Sequence, residues 1–309
     1  MIAVLAGGVG AAKFLRGLID AVDPASITVI GNTGDDEEFL GLHVSPDLDT
    51  VVYTLSDAVH PEQGWGLAGE TYAALEQAAR LGEEAWFKLG DKDIATHLLR
   101  TRLLRGGKTL SEATEAVARA FGLSCRLLPM SDDRVRTVVT TDGGELSFQE
   151  YFVKRRCQDE VRAVRFDGVE RARPAPGVLE AIAAAEAVIV APSNPIVSIG
   201  PLLAVPGVRD ALRKTAAPVI AISPIVGGQA IKGPADKMLA SLGYDVSATA
   251  VAKMYADFLD ALVLDEQDAS LAGEVASAGV RTVVTDTIMR DAATRRALAE
   301  AALRAVREA

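Results

Sequence analysis

The chain has 309 residues and a formal net charge of −10, and 49% of its residues are hydrophobic while 24% are charged. This balance is typical of a folded protein of one or two domains and excludes a disordered or fibrous chain. The negative charge disfavours nucleic acid and anionic membranes as partners, so a phosphate-bearing ligand must be bound by local groups or by a metal.

The chain begins with two strand signals and continues into a helical region. Short β-branched runs predict strands at residues 2–5 and 27–30, with an amphipathic helix at 11–21 between them. From residue 71 to 121 the pattern is helical throughout, with a turn at Gly106 and Gly107. We therefore expect a small all-helical insert, residues 61–122, within a sheet domain formed by residues 1–60 and 123–309.

The rest of the chain alternates between strand and helix patterns. Predicted strands lie at residues 187–190, 218–222, 261–264 and 282–284, and predicted helices at 178–185, 208–214, 235–242 and 291–306. This alternation predicts an α/β fold with a doubly wound, mainly parallel, Rossmann-like sheet. One segment differs, because residues 135–148, with a turn at 142–144, have the pattern of an antiparallel hairpin.

A glycine-rich loop follows the first predicted strand. Gly7, Gly8 and Gly10 would let backbone amides approach a diphosphate at the start of the next helix. The loop is not a full dinucleotide fingerprint, because Lys13 stands where a third small residue is needed, and it is not a Walker A loop. A tight strand-to-helix turn without a ligand remains an open alternative.

Carboxylates are dense after the second predicted strand. Asp35 and Asp36 follow it closely, and Asp47 and Asp49 come a few residues later. Clustered oxygen ligands, expected to have no His or Cys ligand among them, favour a hard cation such as Mg²⁺, which would also screen a diphosphate from these acids. The alternative is that Asp47 or Asp49 only caps a helix starting near Thr50.

Polar loops also follow several later strands. In an open parallel sheet, ligands bind beyond the carboxyl ends of the strands, so these loops are expected to share one site. Together with Asn32, the candidate ligand-binding residues in them are Ser131, Asp132, Ser193, Asn194, Ser223 and Gly227.

Six motifs, in this order, resemble the 2-phospho-L-lactate transferase family. They are residues 7–10, 32–33, 45–53, 88–93, 130–133 and 192–195, and the resemblance runs from Met1 to about Thr287. It implies a Mg²⁺-dependent homodimer of coenzyme F420 biosynthesis. Such an enzyme transfers a phospholactyl or phosphoenolpyruvyl group from a guanosine diphosphate conjugate to the hydroxyl of Fo, a riboflavin-like deazaflavin, and releases GMP.

The resemblance also suggests roles for individual residues. It places Asp49 and Lys88 at Fo, and makes Asp35, Asp36 and Asp47 candidates for metal binding or hydroxyl activation. Asp47 and Asp49 are the predicted catalytic pair. Which acid binds the metal is left open, because this chain has Gly34-Asp35-Asp36 where some family members carry Ala-Glu-Asp. The glycine loop, Ser193, Asn194 and the loop of residues 223–228 would hold the guanosine diphosphate part of the donor.

Two other functions compete with this interpretation. A non-catalytic regulator of the gluconeogenesis-factor type would bind a sugar nucleotide through a similar glycine loop, but the motifs at residues 46–50 and 88–93 argue against it. An NAD-dependent dehydrogenase is disfavoured by Lys13 and by the lack of an isolated acid about twenty residues after the loop.

Several conspicuous residues receive no role in the site. His43, His60 and His97 are scattered and are expected on the surface or in helices, and the tryptophans Trp65 and Trp86 are assigned to packing as readily as to stacking on a deazaflavin. Lys92 and Arg100 are expected on a solvated charged face.

The cysteines and the N-terminal sequence indicate the cellular compartment in which the protein is expected. Cys125 and Cys157 cannot build a disulfide framework and lack the neighbours of a zinc site. No basic segment precedes the short apolar run at residues 1–6, and no later run is long enough to span a bilayer. We expect free thiols and a cytoplasmic protein.

Overall fold

A seven-stranded parallel sheet forms the centre of the protein in the computed structural model, which describes residues 1–308. The strands are β1 (Ile2–Ala6), β2 (Ile27–Gly31), β3 (Glu37–Phe39), β4 (Leu42–Val44), β5 (Arg126–Pro129), β6 (Arg136–Thr141), β7 (Gly144–Ser147), β8 (Val161–Asp167), β9 (Ala187–Val190), β10 (Val219–Ile222), β11 (Ile225–Val226), β12 (Gln229–Ala230), β13 (Ala261–Asp265) and β14 (Arg281–Thr285). The central sheet has the order β14-β13-β10-β9-β1-β2-β5, so the chain changes direction across the sheet between β1 and β9.

Helices cover both faces of this sheet. They are α1 (Gly8–Ile19), α2 (Pro46–Leu55), α3 (Ala73–Arg80), α4 (Asp91–Arg105), α5 (Leu110–Ala120), α6 (Val178–Ala183), α7 (Ile199–Ala204), α8 (Val208–Lys214), α9 (Ala235–Ser241), α10 (Ala248–Tyr255), α11 (Ala272–Ser277) and α12 (Ala292–Arg307). Among residues 1–308, no helix is both long and apolar enough to cross a bilayer.

Alternate residues of the central strands feed two hydrophobic cores. In β1, Ala3 and Leu5 face the core shared with α6, α7, α8 and α10, while Val4 and Ala6 face the core shared with α1, α2 and α12. A strand buried on both faces needs a continuous apolar run, which explains the sequences of β1, β9 and β10. The predicted doubly wound α/β fold is confirmed.

The predicted hairpin is confirmed as β6 and β7, and it belongs to a separate three-stranded antiparallel sheet. Strand β8 pairs with the other edge of β6. The sequence analysis missed β8, because most of its side chains are at least partly exposed and its apolar content is low. It also missed the three-residue strands β3 and β4, which form a second small hairpin after Asp36.

The helices α3, α4 and α5 come from residues 61–122. Helix α4 packs on β4 and α5, and α5 packs on β5 and α2. A capping box fixes the start of α5: the Thr109 side chain accepts from the Glu112 amide, and the Glu112 carboxylate accepts from the Thr109 amide. These contacts place α4 beside the first turn of α2.

Helix α2 starts earlier than the sequence analysis expected. It begins at Pro46, and not near Thr50, because proline at the first helical position has the backbone angle that a helix needs. Ser45 precedes the helix, and Asp47 and Asp49 both lie in its first turn. The alternative in which Asp47 or Asp49 caps this helix is therefore wrong.

Candidate active site

The glycine loop brings the ends of β1 and β9 together. A Cβ atom on Gly10 would lie 2.4 Å from the carbonyl oxygen of Pro192, and one on Gly7 would lie 2.7 Å from Cβ of Ser198. The Gly7 amide donates to Oγ of Ser193 at 3.3 Å. Residues with side chains would push these two loops apart, so the glycines keep them in contact at the point where the sheet changes direction.

Asn32 joins two of the predicted metal-binding aspartates. Its side chain is fully buried, and its Nδ2 donates to Oδ2 of Asp47 at 2.9 Å and to Oδ2 of Asp35 at 3.2 Å. Its Oδ1 accepts from the Gly34 amide at 2.8 Å, which fixes the orientation of the side chain. Residues separated by fifteen positions in the sequence therefore meet at the carboxyl end of β2.

Asp36 is held at the edge of the same group. Its Oδ2 accepts from the Ser45 hydroxyl at 2.6 Å and lies 3.0 Å from Nε2 of His43. Its Oδ1 and the Oδ1 of Asp35 are buried without a hydrogen-bond partner among residues 1–308. We refer to Asp35, Asp36 and Asp47 as the acidic cluster.

The acidic cluster is short of neutralising partners. Burial, followed by repulsion from Asp47, raises the pKa of Asp35 well above its ordinary value. Burial also raises the pKa of Asp36, against the opposing effect of His43. The pKa of Asp47 is raised to about 6, chiefly by burial and further by Asp36. A cation bound here would relieve this repulsion.

The donor set of the cluster fits Mg²⁺ in its usual protein environment. Among residues 1–308, no three or more His, Cys, Asp or Glu side chains are arranged to hold a metal ion by themselves. Mg²⁺ in phosphate-transferring proteins commonly takes one or two carboxylates and completes its coordination with substrate phosphates and water. The two unpartnered carboxylate oxygens, Oδ1 of Asp35 and Oδ1 of Asp36, are suited to that use.

Asp49 is in a different environment from the acidic cluster. Its carboxylate is bound on both oxygens by Arg100, with Nη1 of Arg100 donating to Oδ2 at 3.1 Å and Nη2 donating to Oδ1. The side chain of Arg100 is 1% exposed. The expectation that Arg100 lies on a solvated face is wrong, because a carboxylate fifty-one positions earlier in the sequence neutralises it in the interior.

His97 and Asp93 extend the contact between Asp49 and Arg100. Nδ1 of His97 lies 3.7 Å from Oδ2 of Asp49, and Nε2 of His97 lies 3.3 Å from Oδ1 of Asp93, which also accepts from the Tyr53 hydroxyl at 2.5 Å. We call Asp49, Arg100, His97, Asp93 and Tyr53 the buried ion network. Sequence reasoning missed Arg100 and His97, although both lie on α4 three residues apart, the spacing that places side chains on one helix face.

Lys88 and the aromatic residues before it lie apart from these contacts. Lys88 is exposed, and no ion pair joins it to Asp49 among the described residues. Phe87 stacks on Phe39 with centroids 4.0 Å apart, and Trp86 meets Phe39 edge-on at 5.2 Å. Trp86 thus has a packing role. The assignment of Lys88 to Fo stays a prediction.

In the loop after β5, the polar side chains form hydrogen bonds to other parts of the chain. The Ser131 hydroxyl donates to the carbonyl oxygen of Arg173 at 2.6 Å, and Oδ1 of Asp132 accepts from the Ser111 amide at 2.6 Å near the start of α5. Both predicted ligand-binding side chains therefore connect loops to each other, and the structure does not bring them into the acidic cluster.

The loops after β9 and β10 are similarly stiffened from within. Oδ1 of Asn194 accepts from the Ile196 amide at 2.9 Å, and the Ser223 hydroxyl donates to the carbonyl oxygen of Ile225 at 2.9 Å. The Gly227 amide donates to the Asp268 carboxylate at 3.1 Å. No signal in the sequence connected Asp268 to this loop, and the assignment of Gly227 to ligand binding stays a prediction.

The whole chain is similar in sequence to known transferases. The family model of 2-phospho-L-lactate transferase CofD matches residues 2–304. A protein of Streptomyces griseus subsp. griseus named phosphoenolpyruvate transferase is 49% identical over 313 residues, which cover 99% of this chain and 98% of that protein. A 2-phospho-L-lactate transferase of Methanothermobacter thermautotrophicus is 44% identical over 291 residues, covering 94% and 93%.

Solved structures add a likeness of fold. A member of the UPF0052 family from Bacillus halodurans superposes with a TM-score of 0.66 and covers 98% of both chains. Its sequence is 18% identical to this one. The similarity extends over the whole doubly wound sheet and its helices, and it concerns the fold alone.

Proposed function

The chain belongs to the 2-phospho-L-lactate transferase CofD family, and from this we propose that it transfers a phosphoenolpyruvyl or phospholactyl group from a guanosine diphosphate donor to the hydroxyl of Fo. The products are GMP and a phosphorylated deazaflavin, the precursor of coenzyme F420. The matched relatives carry transferase names, and the alternative of a non-catalytic sugar-nucleotide-binding regulator has no support from them.

The contact between Asp47 and the glycine loop is the observation that carries the proposal. A Cβ atom on Gly7 would lie 2.8 Å from Oδ2 of Asp47, so a carboxylate lies directly against a loop suited to a diphosphate. Two anions at this distance require a cation or a proton between them. The site therefore suits a metal-assisted transfer between a diphosphate and an alcohol.

We assign the metal to the two unpartnered oxygens of the cluster. Oδ1 of Asp35 and Oδ1 of Asp36 would hold Mg²⁺ together with oxygens of the donor diphosphate. The ion supplies neutralisation of the charge on the phosphoryl oxygens when it is bound. His43 and Ser45 orient Asp36 from the opposite side, so its free oxygen points away from them.

Asp47 is the best-placed general base. Asp47 is partly exposed, so an acceptor hydroxyl has access to it, and in the metal-free protein burial and Asp36 raise its pKa to about 6, which favours proton uptake. The acceptor oxygen bonds to the phosphorus nearer the lactyl or enolpyruvyl group while the bond from that phosphorus to the bridging oxygen breaks. The hydroxyl proton goes to Asp47, and the bridging oxygen leaves with GMP.

Asp49, the other predicted catalytic residue, would support the reaction by holding the first turn of α2 in place. Both of its oxygens already accept hydrogen bonds from Arg100, which leaves it less available than Asp47 for proton transfer. It lies in the same first turn of α2 as Asp47, so the buried ion network fixes the direction from which Asp47 faces the glycine loop.

The reaction is tested by turnover with both donors. Purified protein, Mg²⁺ and Fo are combined with the guanosine diphosphate conjugate of enolpyruvate or of lactate, and GMP release and the mass of the deazaflavin product are followed. We expect the enolpyruvyl donor to be preferred, since the relative at 49% identity is named for phosphoenolpyruvate and the one at 44% for phospholactate. Binding of Fo or nucleotide without product from either donor would refute the transferase.

The assembly and compartment belong to the same proposal. A homodimer is proposed on the family resemblance, and light scattering on the purified protein gives its mass. A cytoplasmic location is supported by the two free cysteines, Cys125 and Cys157, because such thiols are typical of reducing compartments. Fractionation of cells that produce the protein tests the location.

A further inference from the structure

Residues 57–64 run along one side of α1, next to the glycine loop. Nε of Arg16 donates to Oδ1 of Asp57 at 3.0 Å, and a Cβ atom on Gly64 would lie 3.0 Å from Cγ1 of Val9. Val9, Lys13 and Arg16 are spaced by four and three residues, so they share one face of the helix. Lys13 therefore lies between the two points at which residues 57–64 contact α1.

A second lysine reaches the same place from the loop after β12. Nζ of Lys232 donates to the carbonyl oxygen of Gln63 at 2.6 Å, and it would lie 3.6 Å from a Cβ atom on Gly64. Partial desolvation of this ammonium group, followed by repulsion from Lys13, lowers the pKa of Lys232. The contacts through Gln63 and Gly64 thus bring two cations together beside the first turn of α1.

Neither lysine is neutralised by the protein. Lys13 and Lys232 have no ion-pair partner within residues 1–308, as is true of most lysines in the described chain, but these two are held close to each other. Two like charges held together without a counter-ion repel each other, and an anionic ligand between them would remove that repulsion. The position of the pair beside the glycine loop therefore suits an anion.

The two lysines and the acidic cluster lie at different parts of the glycine loop. Asp47 is in contact with the position of Gly7, whereas Gly64, which has Lys232 beside it, is next to Val9. A diphosphate lying along this loop would have one phosphate at the aspartates with their metal and the other at the lysines. This polarity orients the donor, because the phosphate that accepts the nucleophile must lie beside Asp47.

We propose that Lys13 and Lys232 bind the phosphate of the donor that stays with the nucleotide, and that they stabilise the negative charge which this phosphate gains as GMP leaves. The inference rests on the proposed function for its donor. When the bond from phosphorus to the bridging oxygen breaks, that oxygen carries the electron pair away on GMP. A pair of fixed ammonium groups at this position strengthens its interaction as the charge develops.

The test compares lysine variants with a matched control. The variants are Lys13→Gln, Lys232→Gln, the double variant, and Lys232→Arg, which keeps the charge. Lys214→Gln is the control, because Lys214 is also exposed and unpaired in the described chain but ends α8 at the amino end of β10, on the opposite edge of the sheet. Thermal melting establishes that every variant is folded.

GMP is the binding probe, and its affinity is measured by titration calorimetry. We expect each Gln variant to bind GMP about tenfold more weakly and to show a similar rise in KM for the donor, as expected for loss of one charged contact. The KM for Fo should stay unchanged, Lys214→Gln should behave as the wild type, and Lys232→Arg should recover part of the GMP affinity that Lys232→Gln loses. A folded double variant with wild-type GMP affinity and donor KM would overturn the inference.

These measurements separate this inference from the proposed function. If the wild type binds GMP in a lysine-dependent manner but transfers neither a phosphoenolpyruvyl nor a phospholactyl group, the transferase is refuted and the phosphate site stands. If the wild type transfers and the double variant does so with unchanged donor KM and GMP affinity, the transferase stands and the lysine site is refuted.

Discussion

Asp47 and Asp49 lie two residues apart on α2 but belong to two groups that differ in how well their negative charge is neutralised. Asp47 belongs to the acidic cluster, where burial and neighbouring carboxylates raise pKa values and two oxygens lack a partner. Asp49 belongs to the buried ion network, where Arg100 occupies both carboxylate oxygens. Burial is common to both groups, so the supply of positive partners distinguishes them. The under-neutralised group is the one prepared for a ligand.

Removing Arg100 should have the largest effect on stability. Arg100→Met leaves Asp49 buried and uncompensated, and we expect the free energy of unfolding to fall by about 3–5 kcal/mol. Urea unfolding measures the change. The double variant Asp49→Leu with Arg100→Met removes both charges, and it should recover most of the loss. A single Arg100→Met variant as stable as the wild type would show that the network is not a coupled pair.

Pushing the glycine loop away from the loop after β9 should have the next largest effect on the free energy of unfolding. Gly10→Ala places a methyl group against the Pro192 carbonyl oxygen, and we expect a loss of about 1–3 kcal/mol with weaker donor binding. Gly273→Ala is the matched control, since a Cβ atom there meets no atom within 4 Å and helix α11 should gain stability. Urea unfolding of both variants makes the comparison, and equal stabilities would contradict the close contact.

Neutralising one member of the acidic cluster should stabilise the protein and inactivate it. Asp47→Asn removes a carboxylate that is held at a raised pKa, and we expect a gain of about 1–2 kcal/mol at pH 8 in metal-free buffer, allowing for its partial exposure. Turnover should fall by about a hundredfold or more, because the base is lost. Loss of both activity and stability would show that Asp47 holds the fold together.

The raised pKa of Asp47 should also make the free energy of unfolding depend on pH, with a smaller change than those above. The folded pKa of Asp47, about 6, lies above its ordinary value of 3.8, so the folded state binds more protons between these pH values. Its stabilising contribution is complete below about pH 4 and is lost as the pH rises through about 6. The gain from Asp47→Asn, measured by urea unfolding with chelator present, should therefore grow between pH 4 and pH 7. A constant difference would contradict the raised pKa.

The sequence predicted the fold well, because each central strand and helix has a strong local pattern. β9, with the residues Ala187–Val190, is apolar throughout as burial on both faces requires. The same approach failed for β8, whose partly exposed residues are stabilised by pairing with β6 and not by a hydrophobic run.

The candidate site was predicted only as far as local motifs extend. Asp35, Asp36 and Asp47 stand in recognisable loops, and Asn32 connects Asp35 with Asp47. The partners of Asp49 and Gly227 lie fifty-one and forty-one positions away, on elements whose relative placement no local pattern encodes. A helix-face analysis of α4 offered the one available signal, since His97 and Arg100 interrupt a helix rich in leucine.

The ion pair between α2 and α4 also has a consequence for the order in which the chain folds. Burying a charged Asp49 costs free energy unless Arg100, fifty-one residues further along the chain, is in place, so we expect the first turn of α2 to be fixed only together with α4. The chain must close a long loop to make this contact, and such non-local contacts form late. A fragment that ends before α4 would keep only β1 and β2 of the central sheet and would lack Arg100, so we expect it to leave Asp49 without its partner.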